Sequence, residues 1–158
     1  MTAGAFLVAL LCAAAGAVHA QTTVGVHLAS SHVPAQDYQN SFNPGIYVCA
    51  ENGVIAGVFR NSLGRTSAYA GFVVDAGPYA LMVGLATGYQ KRAVAMPCNN
   101  AGSAGCWQVV GSTNARLVPM VAPSVRLPEV AGVTPRISYV PGLGINASAV
   151  HLSVERRF

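Results

Sequence analysis

Beyond residue 20, apolar residues alternate with polar or small ones in short segments and never run for the roughly 18 positions that a membrane-spanning helix requires. In Thr23 to Ser31, Val24, Val26 and Leu28 share one face, and Thr23, Gly25, His27 and Ala29 share the other. A period of two belongs to strands. Composition then decides what those strands face. Only 9% of the chain is charged, 53% is hydrophobic and 17 residues are Gly, which leaves too little polar surface for a protein wetted by water on all sides. A closed barrel satisfies every backbone group inside lipid with strands alone. The expected fold is therefore all-β, an eight-stranded antiparallel up-and-down transmembrane β-barrel. A soluble sandwich or lipocalin-like barrel has equally short strands. Its outward faces are polar, however, whereas Ala68, Ala70, Phe72 and Val74, and also Val150, Leu152 and Val154, suit hydrocarbon. One Trp and six Tyr give only a thin interfacial girdle.

Residues 1–20 read differently. An unbroken apolar stretch from Ala5 to Val18, with Val18 and Ala20 where a signal peptidase reads small residues, is expected to be a cleaved signal peptide preceding a barrel domain over residues 21–158. About fourteen apolar residues are too few for a helical span. Leu11 stands where a lipoprotein signal at Cys12 needs a small residue. Because the signal carries no charged residue, the net charge of +4 stays with the exported part, where it suits a surface facing anionic lipopolysaccharide. No run of Lys and Arg points to nucleic acid. Cys98 and Cys106 bracket the polar segment Asn99 to Gly105, and in an oxidising compartment a loop disulfide is the expected pairing. Two cysteines without a nearby His are too few for a metal site, so none is expected. Cys49 is left as a free thiol.

Alternation and turn signals divide the chain into eight expected strands at 23–31, 45–50, 54–60, 66–74, 79–89, 116–127, 134–139 and 147–158. Asn52-Gly53 is a strong tight-turn signal. The connections 31–43, 61–65, 90–114 and 141–146 fall at one end, and the shorter turns 51–53, 75–78 and 128–133 at the other. This long-outside, short-inside arrangement is usual for outer-membrane barrels.

His27 has the lumen-facing parity of the first strand, and an imidazole inside an apolar barrel needs a partner or a purpose. His32 has the opposite parity and is expected in the loop. His151 and Ser153 share the lumen parity of the last strand, similar to the His-x-Ser of lipid A deacylases, but Val154 replaces the Asn that follows there; lumen packing is the simpler reading.

Several patches, in order along the chain, resemble the lipid A palmitoyltransferase family of outer-membrane enzymes. His27 stands seventeen positions before Pro44 in Asn43-Pro44-Gly45, like the family's catalytic His before its strand-two proline. Phe59-Arg60-Asn61-Ser62, followed by Tyr69-Ala70-Gly71-Phe72, is similar to an aromatic-basic-Asp-Ser motif followed by Ala-Gly-aromatic. Val118-Pro119-Met120-Val121-Ala122-Pro123 looks like the family's paired-proline strand. Ser138-Tyr139-Val140-Pro141-Gly142 resembles its Tyr-Ile-Pro-Gly corner, and the chain ends, like the family, in Phe158.

The resemblance implies a monomeric enzyme of the outer membrane of a Gram-negative bacterium that needs no cofactor. It would take an acyl chain from a phospholipid donor and transfer it to a lipid A acceptor. His27 and Ser62 match two catalytic positions, with His27 as general base on the acceptor hydroxyl and Ser62 positioning the donor ester. At the third, Asn61 replaces Asp; an amide orients an imidazole but stabilises an imidazolium less well than a carboxylate. Asp37 in an outer loop is a possible substitute. Tyr69, Gly71 and Val73 would outline the acyl pocket, and Val73, in register with a floor glycine of the family, implies a donor chain shorter than palmitate. Pro44, Pro119, Pro123 and Pro141, which lack an N–H for a neighbouring strand, would form a lateral gate, or else simply terminate strands. The alternative to an enzyme is a non-catalytic outer-membrane barrel of the same descent.

Overall fold

The computed structural model describes residues 21–35, 39–96, 106–110, 114, 116–142 and 148–158. They form β1 (Thr23–Val33), β2 (Phe42–Cys49), β3 (Val54–Arg60), β4 (Thr66–Ala76), β5 (Tyr79–Ala86), β6 (Arg92–Met96), β7 (Cys106–Val110), β8 (Val118–Arg126), β9 (Thr134–Val140) and β10 (Ser148–Arg157). Eight of them close a barrel in the order β1-β10-β9-β8-β5-β4-β3-β2, every pair antiparallel. The eight-stranded antiparallel barrel read from the alternation is thus the observed fold, and no helix occurs among the described residues.

The connection expected to be a long loop over 90–114 departs from the sequence reading. It contains β6 and β7, paired as a separate two-stranded sheet with Met96 opposite Cys106. The strand expected to run to residue 89 ends instead at Ala86, because Gly88 adopts a φ of 90° and the chain leaves the wall there.

The side-chain alternation sorts residues as a barrel requires. On β4, Ser67, Tyr69 and Val73 are buried inside, while Phe72 and Val74 on the other face are 62% and 67% exposed. Leu81, Val83 and Leu85 of β5, Ile46 of β2, Val121 of β8 and Val150 and Leu152 of β10 likewise point outward. The described barrel therefore wears an apolar belt, and charges at outward positions appear only at strand ends, as with Arg60 and Arg156.

A β-bulge overturns one expectation. The register of β1 slips between His27 and Ala29 on both of its edges. Residues 23, 25 and 27 face inward below the slip, but Ser30 and His32 do so above it, and Ala29 moves to the outer face. His32, expected in a loop on the strength of its parity, lies within β1 and lines the lumen.

The end bearing the short turns is closed by a buried ion network. Glu155, 3% exposed, accepts hydrogen bonds from Tyr47 Oη at 2.8 Å and Arg126 Nε at 2.7 Å, and it lies 3.0 Å from Arg136. Arg126 also reaches Asp75 at 2.8 Å. At the neighbouring turn Gly53 holds a φ of 84°, the left-handed conformation that the Asn-Gly pair foretold.

Candidate functional site

Above the ion network the barrel encloses a cavity of about 440 Å³, within the range of small-molecule sites. Ile55, Phe59, Met82, Met120 and Val140 give it apolar walls, and Arg136 and Ser124 lie toward its floor. Ser62, Leu63 and Gly142 stand at the opposite, long-loop rim.

His27 stands in the wall of this cavity with both ring nitrogens engaged. Nδ1 lies 2.7 Å from His151 Nε2, and Nε2 lies 2.9 Å from Tyr69 Oη. The ring is wedged among aromatic neighbours, with centroids 5.0 Å from Tyr47, 5.4 Å from Phe59 and 5.7 Å from Tyr69. Strand register explains the meeting. His27 is opposite Ser153 and Ser30 is opposite His151, so the extra residue of the bulge stacks the His151 ring directly above His27. Small residues make room for the phenol: a Cβ on Gly57 would fall 2.6 Å from the Tyr69 ring. His32 pairs with Ala149 farther up the same seam, which gives this wall three histidines on one face.

Of the expected site residues, the cavity brings together His27, Ser62, Tyr69, Pro119 and Pro141. Gly71 and Val73 face inward beneath the cavity without lining it; Val73 lies where Ile55 and Met82 close the space above. Asn61 is engaged elsewhere. It is fully buried, donates from Nδ2 to Ser67 Oγ at 2.9 Å and Gly88 O at 3.0 Å, and accepts through Oδ1 from the amides of Leu63 and Arg65. That set of bonds ties the loop between β3 and β4 to the end of β5, while the partners of His27 are His151 and Tyr69. Lumen parity is the signal the sequence carries for His151, and packing is the simpler reading of it; no local signal marks the bulge that aims it at His27.

Pro119, Pro123 and Pro141 lie beside the seam between β8 and β9, and Pro44 lies apart from them on β2. β8 pairs with β5 from Val118 to Val125, but with β9, among the described residues, from Ser124 to Arg126. Pro119 and Pro123 are exposed on the stretch of β8 that has no β9 pairing among the described residues, Pro119 also touching the cavity, and Pro141 follows the end of β9. Pro44 lies on β2 opposite the bulge in β1. The Cys98–Cys106 pairing and Asp37 lie outside the described residues, because Cys98, Asp37 and the Cys106 side chain are not among them. Cys49 is a free, half-buried thiol. Among the described residues no group of His, Cys, Asp and Glu is arranged to hold a metal.

Comparison of the chain with models of known protein families and with curated proteins finds no match.

Proposed function

We propose that this protein is an outer-membrane acyltransferase that draws a phospholipid acyl chain into its lumen and transfers it to lipid A. One observation carries the reading: an imidazole sits at the wall of an apolar cavity, inside a barrel whose outer face is itself apolar. A soluble protein rarely exposes so wide an apolar surface, and hydrocarbon is the solvent that suits it. The stretch of β8 that has no β9 pairing among the described residues offers a lipid tail a sideways route to the cavity. At the short-turn end, Arg126, Arg136, Arg156 and Arg157 are balanced by Glu51, Asp75, Glu129 and Glu155. Arg60, Arg65, Lys91 and Arg116 stand instead toward the long-loop end, where the phosphates of lipid A would lie. In the reaction His27 Nε2 exchanges its Tyr69 contact for the acceptor hydroxyl and takes that proton as the hydroxyl oxygen attacks the donor ester carbon. The lysophospholipid leaves with the proton, and Ser62 at the rim holds the ester.

Mass spectrometry of lipid A from cells expressing the protein tests this. Addition of one acyl chain, shorter than sixteen carbons because Val73, Ile55 and Met82 raise the floor, is expected for the native chain and is absent in His27→Ala. A sixteen-carbon addition contradicts the length, and an addition that survives His27→Ala contradicts the site. A second reading, a non-catalytic barrel of the same build, is favoured by Asn61, whose side chain is committed to the loop. A correctly folded barrel that leaves lipid A unchanged supports it.

A further inference from the structure

We propose that His151 is a positioning residue for His27: it accepts the Nδ1 proton, so that the lone pair of Nε2 faces the cavity. The inference rests on the acyl-transfer reading only for its kinetic arm. Its basis is geometric. His27 Nδ1 and His151 Nε2 are 2.7 Å apart, which requires that one ring donate and the other accept. On the other side of the His27 ring, Tyr69 Oη lies 2.9 Å from Nε2.

A neutral imidazole carries a single N–H, and two arrangements satisfy these contacts. In one, Nδ1–H donates to His151 and the Tyr69 hydroxyl donates to Nε2. In the other both directions reverse. Tyr69 decides between them. Among the described residues its hydroxyl has no hydrogen-bond partner besides His27, and the residue is 6% exposed. A buried phenol spends its proton on an acceptor where one is in reach, so Tyr69 donates to Nε2 and the proton of His27 sits on Nδ1, aimed at His151. This is the tautomer a general base needs, because the basic nitrogen is the one that a substrate hydroxyl reaches by displacing Tyr69. When Nε2 takes the substrate proton, the resulting imidazolium keeps its Nδ1–H bond to His151. A neutral ring nitrogen thus fills the orienting role at His27, and Asn61, tied to Ser67 and Gly88, is free to be structural.

The test uses the full chain, native and with His151→Gln or His151→Phe, folded in lipid vesicles and checked for heat-modifiable gel migration. Nitrogen-15 NMR of the imidazoles reads the tautomer. The native protein should carry the His27 proton on Nδ1, His151→Gln should preserve it through the amide oxygen, and His151→Phe should move it to Nε2. In acyl transfer from phosphatidylcholine vesicles to lipid A, His151→Phe should lose on the order of 100-fold in kcat with KM little changed, and His151→Gln should restore most of it. A native His27 protonated on Nε2 overturns the proposal, as does a His151→Phe protein of native kcat, or equal loss in both variants with the barrel intact. A native protein without transferase activity but with the Nδ1 tautomer overturns the acyl-transfer reading and leaves the role of His151 upheld by the tautomer.

Discussion

Asn61 shows how a single position departs from what a motif implies. The sequence places it beside Ser62 in the pattern Phe-Arg-Asn-Ser, where the resembling family has Asp. In the fold every polar atom of its side chain is spoken for, two donors facing Ser67 and Gly88 and one oxygen facing two amides. Asp at this position has no N–H to give and would bury its charge against the Gly88 carbonyl. Asn61→Asp should therefore lower stability by about 1–3 kcal/mol and should not raise activity. Urea titration of the barrel in vesicles, paired with the lipid A assay, checks both halves, and a stable and more active variant would refute the structural role given to the amide. The identity of the residue was legible in the chain. Its bonds were not, because they depend on the turn at Gly88 just beyond β5, 27 positions away.

At the scale of strands, alternation located the eight walls and their inward faces because one buried face fixes register strongly. It failed where the period of two is interrupted. The bulge after His27 flips the parity of Ser30 and His32, and nothing in the local sequence marks which residue is extra. The hairpin of β6 and β7 lay within a stretch whose Gly and Asn content read as loop. β8 is the element whose sequence and structure agree most usefully, since its two exposed prolines sit on the stretch that has no β9 pairing among the described residues. If that seam admits the donor, returning the N–H groups with Pro119→Ala and Pro123→Ala together should slow acyl transfer while stability holds or rises by about 1 kcal/mol for each hydrogen bond gained. Initial rates with vesicle-borne phospholipid measure this. An unchanged rate would rule out the seam as the route.

The described barrel is an apolar cylinder with a charged plug at one end and a cavity above it. Glu155 joins β10 to Arg136 of β9 and Arg126 of β8, to Tyr47 of β2 and, through Arg126, to Asp75 of β4. Glu155→Ala leaves two guanidinium groups without their buried partner and should cost about 3–5 kcal/mol in equilibrium unfolding. A loss below 1 kcal/mol would mean that the network does not hold the closed end together. The proposed acyl transfer requires that hydrocarbon wet the outside of this cylinder while His27 looks into it. Nitroxide labels at Val83 on the outer face and at Ser138 in the lumen, in a chain otherwise free of cysteine and folded in phospholipid vesicles, test that directly through collision with oxygen and with a water-soluble nickel complex. The Val83 label should meet oxygen readily and nickel hardly at all, with the Ser138 label shielded from lipid. A Val83 label as open to nickel as one in water would contradict it.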